Sequence, residues 1–255
     1  MTHLSQDHTD LASQSEIRCA TCFLRQSGFC GALLDARSRL PIRQDSRTTG
    51  AGETICFEGD PSEYVCILCH GWAVRSKQIA DGRRQILSVL LPGEMFSSMM
   101  IFEENISFSV QAVTDVLVTR FNRADVKSAL MIGPAVLHAV ADVCITELRE
   151  ADQLLICLGR CNAEERMARF FLSLSRRLNS HRVNHHQRRH RFPLRQQDLA
   201  DIMGLTPIHI NRVIGRFRRA KYIEMSSGYL TIINKAALER ICRCQFKDRG
   251  LAKIL

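Results

Sequence analysis

Three residues constrain this chain more than any others: Ala200, Gly204 and Ile210, within QQDLADIMGLTPIHINRVIGRFRRAKYI at residues 196–223. A small residue, a glycine four later and a β-branched residue six beyond it is the spacing of a helix-turn-helix. Residues 196–203 read as a short helix with Leu199, Ala200 and Met203 turned inward. Ala200 is small because a second helix must cross close to it. Gly204 supplies the tight turn, and Thr206 can cap the next helix, with Pro207 in its first turn. Ile210, Val213 and Phe217 then line the inner face, joined by Ile214. The outward face carries Ile208, His209, Asn211, Arg212, Arg216 and Arg219. Arginine pairs with guanine edges, asparagine with adenine, and an apolar side chain meets a thymine methyl. A capped surface helix with a basic face would show the same charges. The following hairpin YIEMSSGYLTII, with its Ser227-Gly228 turn, reads as a wing and favours DNA contact by this helix, with Thr206 at its cap.

Charge agrees. Residues 1–160 hold 15 Lys/Arg against 19 Asp/Glu, a net of −4, whereas residues 161–255 hold 20 against 7, a net of +13. A basic domain attached to a mildly acidic one predicts a polyanion partner for the carboxyl-terminal third only.

Upstream the hydrophobic period changes twice. From about residue 50 to 130, short apolar runs are broken by Gly59-Asp60-Pro61, Asp81-Gly82 and Pro92-Gly93. Phe108, Val110 and Ala112 alternate with Ser107, Ser109 and Gln111, a period of two. Short strands at this spacing predict a β-sandwich or jelly-roll barrel. An α/β enzyme fold would need long helices between the strands, and there is no room for them. Next, Leu137, Ala141, Cys144, Leu148, Ala151, Leu155 and Leu158 recur at steps of four and three, an a/d seam over about three heptads. A parallel homodimer contact is expected there, although such a seam could also lie on the chain's own barrel. Cys144 and Cys157 read as small apolar fillers. A second helix follows, with Asn162 as its cap and Glu164 and Glu165 in its first turn. It runs into HRVNHHQRRHRF, whose His181, His185, His186 and His190 read as part of a solvated basic linker and not as metal ligands.

The 11 cysteines belong with a reducing compartment. No apolar run approaches the roughly 18 to 20 residues that cross a bilayer, and MTHLSQDHTDLASQSE is unlike a secretory signal. A cytoplasmic protein with reduced thiols and no membrane association is expected. Cys19, Cys22 and Cys30 have C-x2-C-x7-C spacing, which brings two thiolates within reach of one metal or cluster and lets the third fold back. Gly28 and Gly31 bracket Cys30 and permit tight wrapping or an ordinary loop. A metal or cluster site, reversible thiol chemistry or zinc, and an unliganded structural role all remain open. Cys66 and Cys69 lie three apart in a predicted strand, so at most one of them can face such a site. The other, like Cys56, reads as a buried small hydrophobe. Cys242 and Cys244 have neither the spacing nor the neighbours of a strong site.

The barrel turn LPGEMFS at 91–97, the seam helix and DLADIMGLTPIHINRVIGRFRR at 198–219 together resemble the Crp/Fnr superfamily of bacterial transcription regulators, closest in layout to its Fnr-type branch. The resemblance runs along essentially the whole chain. It implies an α+β protein that is not an enzyme: a cysteine-containing segment at 1–48, a cyclic-nucleotide-binding-like β-roll or jelly roll at 49–132, a dimerisation helix at 133–160 and a winged helix-turn-helix at 161–255. It further implies a homodimer that binds double-stranded DNA at a two-fold symmetric operator and contacts RNA polymerase. Fnr-type members hold an oxygen-labile iron-sulfur cluster through a comparable amino-terminal trio, here Cys19, Cys22 and Cys30, plus a barrel cysteine. That last position matches Thr119, so a complete set would need Cys56, Cys66 or Cys69. Cyclic-nucleotide binders grip the phosphate with an Arg-Ser or Arg-Thr pair after the Gly-Glu turn. Gly93 and Glu94 are present, but Ile106 and Ser107 stand at the pair, so cyclic AMP is not expected. Ile208 and Asn211 replace a glutamate and a serine of Fnr-type recognition helices, whereas Arg212 matches, so a different half-site is expected. The signal is accordingly oxygen, nitric oxide or redox state through the trio, or else a barrel effector or a thiol or zinc switch.

Overall fold

The computed structural model describes residues 28–37, 40–180 and 189–242, and the chain divides into two compact units between Asp152 and Gln153. Cys19 and Cys22 lie outside the described residues, as do His181, His185, His186 and Cys244.

The first unit opens with helix α1 (Gly28–Ala36). Seven strands follow: β1 (Gln44–Thr49), β2 (Thr54–Cys56), β3 (Tyr64–His70), β4 (Ala73–Gln78), β5 (Arg84–Leu90), β6 (Ser109–Ala112) and β7 (Val116–Asn122). A one-turn helix α2 (Met99–Phe102) lies between β5 and β6. The strands form antiparallel sheets in the orders β1-β7-β3 and β2-β6-β4-β5, the roll the alternation predicts. Phe108, Val110 and Ala112 are buried, and Ser107, Ser109 and Gln111 are half-buried.

Two cores flank β3 and β7. Cys66, Leu68, Phe96, Phe108, Val110 and Val118 pack between the sheets. On the other face of β3 and β7, Val65, Ile67 and Phe121 pack against helices. These are α1 through Phe29 and Leu33, α3 (Arg123–Ile132) through Val126 and Ala129, and α4 (Pro134–Arg160) through Val136 and Val140. Asn122 caps α3, its Oδ1 accepting from the Ala124 and Asp125 amides at 3.1 and 3.3 Å. Two details depart from expectation. The first strand starts at Gln44, inside the segment assigned to the amino-terminal arm. Cys30 sits within a helix, where Gly31 is a buried helical residue and not a loop hinge.

α4 is one 27-residue helix. Along the predicted seam, Leu137, Ala141, Leu148, Ala151 and Leu155 are exposed, whereas Cys144 and Leu158 are half-buried. Cys144 packs at the edge of the first unit's helix-covered core.

The second unit contains α5 (Ala163–Ser180), β8 (Arg189–Arg191), α6 (Gln196–Met203), α7 (Pro207–Arg219), β9 (Ile223–Ser226), β10 (Tyr229–Ile232) and α8 (Lys235–Ile241). Asn162 caps α5 as expected: its Oδ1 accepts from the Glu164 and Glu165 amides, and Glu165 Oε2 accepts from the Asn162 amide at 2.8 Å. The linker reading fails at its end. Arg189–Arg191 joins β10 as a third strand, and His190 is 1% exposed with Nε2 3.1 Å from Ser175 Oγ. Alternation explains this, because the central residue of a three-residue edge strand points inward between two solvent-facing arginines.

Candidate nucleic-acid interface

α6 and α7 assemble as their sequence dictates. The Arg195 amide donates to Asp198 Oδ2 at 2.9 Å, closing the first turn of α6. Gly204 ends that helix at φ 61°, ψ 40°, the left-handed conformation that glycine adopts without penalty. Thr206 Oγ1 then accepts from the His209 amide at 3.3 Å, with Pro207 as the first residue of α7. Leu199, Ala200 and Met203 are buried against Ile210, Val213, Ile214 and Phe217.

This packing leaves Thr206, Ile208, His209, Asn211, Arg212, Arg216 and Arg219 all exposed. Ile208 is 68% exposed, a large apolar side chain held in solvent at the end of the helix that reaches base edges in helix-turn-helix proteins. Arg216, Arg218 and Arg219 crowd the last turn, where cations oppose the negative end of the helix dipole. Arg216 also pairs with Glu164 at the start of α5. It therefore braces α7 as well as adding charge to its face, a role that spacing could not reveal.

The wing is a three-stranded sheet, β8-β10-β9. Ser227 and Gly228 both take positive φ, 50° and 76°, as a two-residue hairpin turn requires. The Arg189 guanidinium lies 4.2 Å from the centroid of the Tyr229 ring, adding a cation to the wing.

Arg166 of α5 is a residue the sequence reading missed. Its guanidinium donates to three carbonyls: Cys161 at 2.9 Å, Leu158 at the end of α4 at 2.9 Å, and Met203 at the end of α6 at 2.7 Å. One side chain thus satisfies helix-terminal acceptors from two helices and fixes the base of the helix-turn-helix. Its only sequence signal is an arginine near the start of an amphipathic helix, which is too common to single out.

The cysteines separate by environment. Cys66 faces the core between the sheets, and burial pushes its thiol up to about 12, with nearby Cys56 adding to the effect. Cys56 is likewise raised to about 12, chiefly by burial. Cys69 points the other way, as the three-residue spacing requires. Its Sγ lies 3.2 Å from Thr119 Oγ1, which in turn lies 3.0 Å from Ser46 Oγ. Thr119 alternates with Phe121 on the sheet face that α1 covers, and Cys30 packs at the edge of that same core. Among the described residues, no three His, Cys, Asp or Glu side chains gather as a metal site. Ile106, which the family resemblance sets where cyclic-nucleotide binders carry an arginine, is buried in the barrel core.

Comparison with known proteins adds to this geometry. The cyclic nucleotide-binding domain family matches residues 46–132, and the Crp-like helix-turn-helix domain family matches residues 165–241. The transcriptional activatory protein AadR of Rhodopseudomonas palustris is 30% identical over 226 residues, covering 88% of this chain and 91% of its own length. The chain belongs to the Crp/Fnr superfamily, in its Fnr-type branch. The nitrogen fixation regulation protein FixK of Bradyrhizobium diazoefficiens is 28% identical over 225 residues, 88% of this chain and 93% of its own. The solved structure of FixK2 from Bradyrhizobium japonicum superposes with a TM-score of 0.71 at 25% identity, covering 78% of this chain and 97% of that one. This Crp/Fnr protein is a DNA-binding transcription regulator, and the relatives it matches are regulators and not enzymes. Among its described residues no single helix is long and apolar enough to cross a membrane.

Proposed function

We propose that this regulator acts as a parallel homodimer paired along α4. In this reading it binds a two-fold symmetric operator through its two α7 helices, signals to RNA polymerase, and responds to oxygen, nitric oxide or redox state through Cys19, Cys22 and Cys30. The observation that carries the DNA part is the exposed face of α7, where Ile208, His209, Asn211 and Arg212 stand clear of the core at the helix's leading end. Two-fold pairing would present two such helices to successive major grooves about 34 Å apart. The row of exposed leucines on α4 supports that pairing, since Leu148 is 64% and Leu155 70% exposed, an unfavourable state for apolar side chains unless a second helix covers them.

The signal rests on donor chemistry. Thiolates ligate iron-sulfur clusters. Cys66 faces the core between the two sheets and Cys56 packs against that core, whereas the Cys30 helix covers the opposite face of β3, which sets Cys56 and Cys66 aside. Cys69 is the better donor, because it is half-buried, lies within 3.2 Å of the Thr119 hydroxyl and shares the sheet face that the Cys30 helix covers. The reading therefore assigns Cys19, Cys22, Cys30 and Cys69 as ligands. A bound cluster would supply iron-sulfur bonds that oxygen and nitric oxide attack. The chain's own part is to tie the amino-terminal arm to β3 and α1, beside the first turns of α4.

The deciding measurement is iron, acid-labile sulfide and visible absorbance on protein purified without oxygen, then exposed to air. Stoichiometric iron and sulfide, lost in air and absent from Cys19→Ser and Cys69→Ser, is the expected result. Colourless, iron-free protein would remove the cluster and leave a thiol or zinc switch, or a barrel effector, as the signal.

A further inference from the structure

Glu147 lies mid-way along α4, within the first unit, and its carboxylate does not face solvent like its neighbours Leu148 and Arg149. It enters a cluster of donors built by the barrel. The Ser98 amide lies 3.2 Å from both carboxylate oxygens, and the Ser98 hydroxyl donates to Oε2. Arg75 of β4 donates from Nη1 to Oε1 at 3.3 Å and to the Phe96 carbonyl at 3.3 Å. The guanidinium is 5.3 Å from the Phe108 ring centroid, and the Arg75 side chain is 16% exposed. Its Nε is buried and finds no acceptor among the described residues. Ser98 is 6% exposed.

Without Glu147 these groups would be a half-buried cation, a buried amide and a buried hydroxyl with no anion to receive them. Such a constellation is costly unless a negative charge completes it. The donors come from residues 49 and 72 positions away from the acceptor, so chain proximity does not explain the contact. Moreover, the barrel does not carry an arginine where cyclic-nucleotide binders grip their phosphate. It has a different guanidinium, already engaged by a side chain of the same polypeptide.

We infer that Arg75 and Ser98 form a carboxylate-recognition site in the amino-terminal unit, and that its ligand is the chain's own Glu147, a built-in substitute for a soluble effector. The site takes a single planar carboxylate, held by the serine amide and hydroxyl on one side and by the guanidinium on the other. Tethering gives Glu147 an effective concentration that free carboxylates do not match. The wild-type site therefore stays filled, and α4 stays docked on the barrel with no small molecule present. Removing the side chain should convert the internal contact into a binding site for free carboxylates.

The test uses full-length Glu147→Ala and acetate or formate as probes, with ionic strength matched by chloride. The wild type should melt at the same temperature in acetate as in chloride. The variant should melt several degrees lower and recover saturably with acetate in the millimolar range, and adding Arg75→Met should abolish that recovery. Equal acetate shifts in wild type and variant, or none in the variant, would overturn the inference. If Glu147→Ala does not fold, a cycle with Glu147→Gln and Arg75→Met reads the same contact without opening a cavity. Strongly non-additive losses of melting temperature are expected there, and additive losses would count against the site. A second arm rests on the regulator reading: operator affinity of Glu147→Ala should fall at least tenfold and return with acetate. Recovery of melting without recovery of affinity would keep the site but remove its part in DNA binding. Failure of the wild type to select an operator would count against the regulator reading alone.

Discussion

At the residue scale, specificity and stability rest on different arginines. Arg212 is exposed on the leading half of α7 and makes no described hydrogen bond or ion pair within the chain, so its guanidinium is available to a guanine edge. Arg212→Ala should weaken operator binding by about 1 to 3 kcal/mol while changing affinity for random DNA much less, as read by competition titration. Equal losses on both would remove it from base reading. Arg166 is instead structural, with its three carbonyl contacts at the junction of α4, α5 and α6. Arg166→Met should cost about 2 to 3 kcal/mol of stability without altering sequence preference, measured by urea unfolding and the same titration. The buried thiols make a pH prediction. Cys56 and Cys66 keep their protons up to about 12 in the folded chain, whereas unfolded thiols lose theirs near 8.5. Between those values the native state holds more protons, so stability should fall as pH rises from about 8.5 towards 12. Cys66→Val should flatten that fall in urea titrations at stepped pH, and an unchanged slope would refute the assignment.

At the scale of elements, α4 serves two surfaces at once. Val136 and Val140 pack into the amino-terminal core while Leu148 and Leu155 remain exposed. The heptad seam counted from Leu137 includes Leu148 and Leu155 but neither Val136 nor Val140. Residues three and four apart spread around the helix, so one face can meet the barrel while the next awaits a second chain. Leu148→Lys with Leu155→Lys should therefore give a folded monomer in sedimentation, with operator binding reduced at least tenfold. A dimer surviving both changes would place the pairing elsewhere. The wing shows the opposite case. Its hairpin was legible from Ser227-Gly228 and the alternation around it, but the third strand was not, because a three-residue strand in a run of arginines and histidines has no hydrophobic period to detect.

For the whole molecule, charge partition determines how DNA binding should respond to salt. The net +13 of residues 161–255 belongs with a large counterion-release component, so log affinity should fall linearly with log salt at roughly 0.9 per phosphate neutralised. Arg219→Ala, at the far end of α7, should lower that slope by about 1 without reordering preferred sequences. A changed base preference with an unchanged slope would mean that Arg219 reads bases.

Local residues determined the helix-turn-helix, its cap, its left-handed glycine, the roll's alternation and the amphipathic period of α4. Each depends on contacts within a few positions along the chain or on a repeat that side chains display directly. Tertiary structure decided the rest. It brought Cys69 beside Thr119 across 50 residues, turned His190 inward, tied Arg216 to Glu164 and closed Arg75 and Ser98 on Glu147. These pairings depend on register between strands and on which helix face meets which sheet. Neither leaves a periodic trace, because a polar residue committed to a distant partner looks in sequence like one committed to water.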